Sequence, residues 1–256
     1  IEYIQAALSL EKKLVIMLYK EGSRGHELQE EKIFKGSSIE CFVADRLSVY
    51  QTIVEDLEDQ HLQRQACWFH GRHYLVDAYM VDHRVEDVIK LINLLFYIER
   101  VLQGEDDTSP EARLAFRKRW SKRIVDRIMN RLEKIRKAGS EYGTMVHRAV
   151  NYILDDREAF ERFLSDGRID MHNNAIERCF RHIAIGRHNW LHTGSHESAQ
   201  NIAFMFGLYE SCQLNNVDFG HYIEDILTRI VNGEAIDESF IPCNYVARPL
   251  EEETVA

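Results

Sequence analysis

Ile169-Asp170-Met171-His172-Asn173-Asn174-Ala175-Ile176-Glu177-Arg178 runs from an irregular segment into a helix. The turn signal Asp166-Gly167 lies just upstream. Asn174 is followed three residues later by Glu177, the spacing of a capping box in which the glutamate reaches back to the N-cap amide. Ile176, Cys179, Phe180 and Ile183 then recur at helical spacing as one apolar face, with Glu177 at its edge and one turn from Arg181. Spacing alone leaves two uses of Glu177 open. It can close the cap, or, flanked by Arg178 and Arg181, it can aim at a metal bound near a phosphate. Gly186 is expected to end the helix, and Arg187, His188, Asn189 and Trp190 follow it. Such a set can hold a phosphate and stack on a base; a plain C-cap with a buried tryptophan is the other use.

Upstream the pattern changes. Apolar runs of strand length occur at Ile4–Leu8, Lys13–Tyr19, Ser37–Asp45 and Gln63–Phe69. Helical stretches are expected near His26–Phe34 and over Ser48–Leu57. From about Arg72 the period is helical for a long stretch, with Val85, Val88, Ile89, Ile92, Leu95, Phe96 and Ile98 as a wide apolar stripe. The loop Gly104–Pro110 breaks it. Trp120, Ile124, Ile128, Leu132 and Ile135 then mark one face of a basic helix that stops at Gly139. Helices also read over Met145–Leu154, Glu158–Leu164, Ser198–Gln213 and Asp218–Val231, and the tail from Gly233 reads as irregular, lying along the surface. The expected class is α/β. Residues 1–72 form a small mixed-sheet core, 73–165 an all-helical insertion, 166–232 a return to the core with the Glu177 helix, and 233–256 a tail.

The five cysteines, Cys41, Cys67, Cys179, Cys212 and Cys243, are odd in number and scattered, which reads as free thiols in a reducing cytosol. No stretch reaches the roughly 18 consecutive apolar residues of a membrane span. The chain opens on the strand-like Ile1-Glu2-Tyr3-Ile4 without a methionine, as if cut inside a sheet. A net charge of −10 argues against a protein that coats nucleic acid over its whole surface. Yet Arg113–Lys137 holds eleven Lys or Arg against only Asp126 and Glu133, either a solvated helix face or a phosphate-contacting stripe.

Asp45 ends an apolar strand run, the position at which open α/β sheets bind ligands, although a carboxylate there can equally cap the following turn. Cys67, His70 and His73 resemble a metal-ligand set, but no partner cysteine lies at zinc-site spacing, which argues against a structural zinc.

Taken together, these segments are similar to the transposases of the insertion-sequence 66 family. The first match is Asp170–Arg178 followed by Ile185-Gly186-Arg187-His188-Asn189-Trp190-Leu191 and Gly194-Ser195. The second is Ala66-Cys67-Trp68-Phe69-His70-Gly71-Arg72, and the third is the strand ending in Asp45 with Tyr50 five residues on. Their order agrees with the family's. The resemblance implies a ribonuclease H-like mixed sheet with an Asp-Asp-Glu site and a helical insertion before the glutamate. Asp45 falls on the second aspartate and Glu177 on the glutamate, both catalytic and both ligands of Mg²⁺ or Mn²⁺. A pair of such ions activates a water or a 3′-hydroxyl and stabilises the leaving oxygen in phosphoryl transfer. DNA, as terminal inverted repeats and target, would be held by Arg178, Arg181, Arg187, His188, Asn189 and Trp190, and by Arg119, Lys122 and Arg123 of the basic helix. A homo-oligomer in the bacterial cytoplasm, associated with the nucleoid, is implied as well.

The departures carry their own expectations. The family's first strand and its aspartate have no counterpart, so the sheet is expected to lack that strand and the chain alone to have little strand-transfer activity. His188 replaces the usual lysine, Arg46-Leu47 a Gly-Tyr or similar pair, and Met171-His172 adds length. The alternatives are a non-catalytic DNA-binding or interaction remnant, and a nuclease that completes its site with Asp170.

Overall fold

The computed structural model of the chain describes residues 2–22, 25–190 and 193–248. It is a mixed α/β protein, mostly helical. In chain order come β1 (Glu2–Ser9), β2 (Leu14–Glu21), α1 (Glu27–Gln29, continued by a π-helical turn Glu30–Phe34), β3 (Cys41–Ala44), α2 (Ser48–Asp56) and β4 (Gln63–Ala66). The helical block follows: α3 (Trp68–Tyr79), α4 (Glu86–Leu102), α5 (Pro110–Arg119), α6 (Ser121–Lys137), α7 (Thr144–Leu154) and α8 (Arg157–Glu161). Last are α9 (Asn174–Trp190), α10 (His196–Leu214) and α11 (Phe219–Val231). The chain divides into two compact units, Ile1–Ile33 with Ala175–Ala256, and Phe34–Asn174.

In the first unit β1 and β2 form an antiparallel hairpin that pairs Ile4 with Tyr19, Ala6 with Met17 and Leu8 with Val15. Alternation at period 2 puts these six on one face. They pack there with Ile176, Cys179 and Ile183 of α9 and with Ala203 and Phe206 of α10. Small residues four apart, Ala199, Ala203, Gly207 and Ser211, let α10 come close to the β2 backbone. A Cβ added at Gly207 would lie 3.2 Å from the Val15 carbonyl oxygen. The Ser211 hydroxyl accepts from the Val15 N–H at 2.9 Å and donates to the Gly207 carbonyl at 2.7 Å, so a close-packed helix also satisfies a buried strand donor. The tail does more than lie along the surface. Phe240 is buried, and its carbonyl accepts from the Tyr222 hydroxyl at 2.6 Å.

In the second unit β3 and β4 run parallel, joined through α2, with Cys41 beside Gln63 and Ala44 beside Ala66. The helical core holds Leu75, Val88, Ile92, Leu95, Ile128, Leu132 and Ile153, all essentially inaccessible to solvent. Each such side chain contributes about 1.5–3 kcal/mol on burial. Arg117 crosses this core fully buried. Its Nε and Nη2 donate to the Glu99 carboxylate at 2.8–3.1 Å, and its Nη1 donates to the carbonyls of Phe163, Asp166 and Ile169 at 2.7–3.3 Å. Arg113 adds an ion pair to Asp170 at 2.8 Å. A Cβ at Gly167 would overlap the Pro110 carbonyl. The run from Phe163 to Asp170, which leads into α9, is therefore pinned to α5.

Several expectations need correction. The basic segment is two helices, because Ser109 caps a fresh start at Pro110 and the chain breaks at Trp120, leaving that ring 46% exposed instead of facing inward. The strand expected over Gln63–Phe69 stops at Ala66, since Trp68, Gly71, Leu75 and Ala78 bury at helical spacing. Likewise the strand expected over Ser37–Asp45 begins only at Cys41. Gly186 does not end α9; it is buried inside the helix, which runs on to Trp190. The Asn174 half of the capping box is not formed, as its Oδ1 is buried without a hydrogen-bond partner. All five cysteines are free thiols. Among the described residues no helix is long and apolar enough to cross a membrane.

Candidate functional site

Asp45 sits directly after the buried Ala44, at the carboxyl end of a parallel strand, and is itself half-buried. Its Oδ1 accepts from the Leu47 N–H at 3.2 Å, so the turn-capping use does occur. Among the described residues the carboxylate has no ion pair, although arginines surround it. Their guanidinium groups are engaged elsewhere. Arg64 donates to the Asp45 backbone carbonyl at 3.1 Å and pairs with Asp156 at 2.5 Å. Arg46 donates to the carbonyls of Asn151 and Tyr152 at 3.2 Å, capping the last turn of α7. The backbone at Asp45 is thus held firmly while its carboxylate keeps oxygen lone pairs to offer. Beside it Arg46, Tyr74, Arg148, Asn151 and Tyr152 line an open recess of about 440 Å³. Burial, reinforced by the Asp45 charge, pushes the Tyr152 hydroxyl up to about 12, so it stays a proton donor at neutral pH.

Glu177 belongs to the first unit, one turn into α9, and is exposed. The face of α9 opposite to it is anchored. Cys179 is buried, and the His182 Nδ1 meets the buried Glu210 at 2.5 Å. Burial, then the Glu210 charge, pushes the Cys179 thiol up to about 11. Arg178, Arg181, His188 and Asn189 are exposed. Glu177, Arg181 and His188 fall on one helix face, since eleven residues make about three turns and a rise of roughly 16 Å. The side chains of Arg187 and Trp190 lie outside the described residues.

The basic stretch separates into groups that the sequence could not distinguish. Arg117 is a buried clamp, and the partly buried Arg113 is paired with Asp170. Lys122 pairs with Asp126, Arg131 with Asp87 and Arg136 with Asp155. Arg119 lies over the Trp120 ring. Arg123, Arg127, Lys134 and Lys137 are exposed, have no ion-pair partner among the described residues, and share one face of α6. Asp170, the alternative site carboxylate, is held by Arg113. Cys67, His70 and His73 form no ligand cluster among the described residues: Cys67 is buried and His73 pairs with Asp77. Sequence reasoning missed the Arg117–Glu99 pair, because a guanidinium turned inward leaves the helical pattern of its helix unchanged.

Asp45 and Glu177 both offer hard carboxylate oxygens, the donor type of Mg²⁺ and Mn²⁺. Together with unpaired surface cations, these are the side-chain types that phosphodiester chemistry uses. The comparison with known proteins names the group more closely. Residues 3–201 match the Transposase IS66 family, and the chain belongs to that family. It is 36% identical over 146 residues to the uncharacterized protein y4hP of Sinorhizobium fredii (strain NBRC 101917 / NGR234), covering 57% of this chain and 26% of that one. The uncharacterized protein y4qI of the same organism is 32% identical over 192 residues, 73% of this chain and 35% of that one. The chain thus spans about a quarter to a third of the length of these relatives. No solved structure matches it.

Proposed function

We propose that this chain is part of the catalytic portion of a DNA transposase, which cleaves and joins DNA by metal-dependent phosphoryl transfer, with Asp45 and Glu177 among its metal-holding carboxylates. One observation carries the reading: Asp45 stands at a strand's carboxyl end with no ion pair among the described residues, while both neighbouring arginines are turned to other partners. Bound Mg²⁺ or Mn²⁺ would supply activation of a water or 3′-hydroxyl and neutralise charge at the leaving oxygen.

The remaining tasks fall to the chain itself. Arg148 and the hydroxyls of Tyr74 and Tyr152 offer donors in the recess beside Asp45, suited to a backbone phosphate. Arg178, Arg181 and His188 provide a similar set along α9, with Arg187, Asn189 and Trp190 of its last turn in the same role. A ribonuclease H-like fold is built on one mixed sheet; among the described residues the antiparallel β1–β2 and parallel β3–β4 ladders are two separate two-stranded sheets, so support for that fold comes from the helical block between β4 and α9. Multimeric action on element-end and target DNA, in the bacterial cytoplasm, belongs to the same proposal.

In this reading the family's first aspartate has no counterpart among the 256 residues. The chain by itself is then expected to hold metal weakly and to leave terminal-repeat DNA uncut. Mn²⁺ binding, followed by electron paramagnetic resonance on the wild type, Asp45→Asn and Glu177→Gln, tests the site directly. Weakened binding in each variant supports it, and indistinguishable binding in all three overturns it. A non-catalytic DNA-binding role is the second reading, favoured by the unpaired Arg123, Arg127, Lys134 and Lys137. Loss of DNA binding on neutralising those four, with Mn²⁺ binding of both carboxylate variants indistinguishable from the wild type, would make it the better one.

A further inference from the structure

Between α4 and α6 the second unit opens an apolar groove of about 700 Å³, its walls including Leu94, Tyr97, Trp120, Ile124, Arg123 and Arg127. Tyr97 is 54% exposed and Trp120 46%. A single exposed aromatic is ordinary on a protein surface. Two in one groove, ringed by cations, have the composition of a stacking platform. Arg100 lies 5.4 Å from the Tyr97 ring centre and Arg119 lies 5.0 Å from that of Trp120. Neither arginine, nor Arg123 or Arg127, has a carboxylate partner among the described residues. The one acidic residue lining the groove, Asp126, is neutralised by Lys122.

We propose that this groove binds an unpaired base of single-stranded DNA, stacked on Tyr97 and Trp120, with its flanking phosphates against Arg119, Arg123 and Arg127. The inference rests on the reading of the chain as a DNA-handling protein and adds the form of the DNA that this unit takes. Charge decides between occupants. A second copy of the chain, docked about a two-fold axis, would set this arginine-rich rim against itself, and like charges juxtaposed across an interface are unfavourable. A phosphate backbone relieves that repulsion. Duplex DNA offers phosphates but keeps its base faces stacked, so it can use the arginines and not the rings.

The test is fluorescence anisotropy of the whole chain with a labelled oligo-dT and a labelled duplex of equal length. Trp120→Ala and Tyr97→Ala should each weaken oligo-dT binding about 5- to 140-fold, the effect of losing one base–aromatic stack. Duplex affinity should hold, and Trp120→Phe should keep most of the single-strand affinity. The double variant Arg123→Gln/Arg127→Gln should weaken both ligands and lower the single-strand salt slope by about 1.4, at roughly 0.7 per charge. Circular dichroism on each variant separates misfolding from lost contact. Unchanged oligo-dT affinity in folded Trp120→Ala and Tyr97→Ala overturns the proposal. A concentration-dependent dimer that Trp120→Ala abolishes, with oligo-dT binding unchanged, overturns it in favour of the second copy. Trp120→Ala and Tyr97→Ala should leave Mn²⁺ binding as in the wild type, so failure of the carboxylate site, read by Mn²⁺, and failure of the groove, read by oligo-dT, are distinguished.

Discussion

Glu99 in the second unit and Glu210 in the first are buried to the same degree, 7% exposed, yet they are partnered in different ways. Glu99 is gripped by Arg117, which has no solvent exposure and spends its remaining donors on three carbonyls between Phe163 and Ile169. Glu210 meets one ring nitrogen of His182, whose side chain is 48% exposed. A guanidinium offers five donors in a fixed fork, so one residue can hold a carboxylate and a loop together. An imidazole offers a single bond here and ties only one helix to another. The arginine clamp thus ties α4, α5 and the run from Phe163 to Ile169 together within the second unit.

The comparison can be broken at its strongest point first. Arg117→Leu strands the buried Glu99 charge and three carbonyls, and should cost about 3–5 kcal/mol by denaturant titration. A loss below about 1 kcal/mol would mean that water reaches Glu99 and the clamp is not buried in solution. Adding Glu99→Met to Arg117→Met removes the stranded charge and should recover part of that loss, with the three carbonyls accounting for the shortfall. Gly167→Ala drives a methyl into the Pro110 carbonyl of the same clamp and should cost about 1–3 kcal/mol, since no rotamer relieves a backbone overlap. His182→Ala should cost only about 1 kcal/mol, because solvent around a half-exposed partner can replace the lost bond. A drop as large as that for Arg117→Leu would erase the distinction between the two sites.

The smallest effect concerns thiols in both units. Burial is the main cause that pushes Cys41, Cys179 and Cys212 up to about 11 from an ordinary value of 9.0. The folded state disfavours each thiolate, so this contribution to stability is complete below about pH 9. It declines as pH rises from there toward 11. A shallow fall in melting temperature over that window, together with slow native-state alkylation of these three thiols at pH 8, is the expected outcome; rapid labelling of Cys41, Cys179 and Cys212 in the native chain would contradict it.

Much of this was legible in the residues. The strand-length apolar runs Ile4–Leu8 and Lys13–Tyr19, and the helical stripe Val85 to Ile98, follow from local geometry and were readable one element at a time. Asp45 was readable as a carboxylate ending an apolar run, and Ile176, Cys179 and Ile183 as an apolar face with Glu177 at its edge; that Glu177 is exposed came only with the structure. Other features were not. Gly186 and Trp120 mislead because a glycine inside a helix costs only about 1 kcal/mol and packing overrides it, while an apolar position at the right spacing still faces water when its helix breaks there.

The sequence by itself thus determined the class, the order of the elements, the family, and the chemical type of the candidate carboxylates. All of these rest on patterns within a few residues, or on motifs in order along the chain. Only the tertiary structure decided which of the eleven cations between Arg113 and Lys137 are buried clamps, which are paired and which stand free at the surface. It also decided that Arg46 and Arg64 turn away from the Asp45 carboxylate. Charges of one type look alike in a sequence; what separates them is the partner that the fold brings within about 3 Å, from 18 residues away for Arg117 and Glu99.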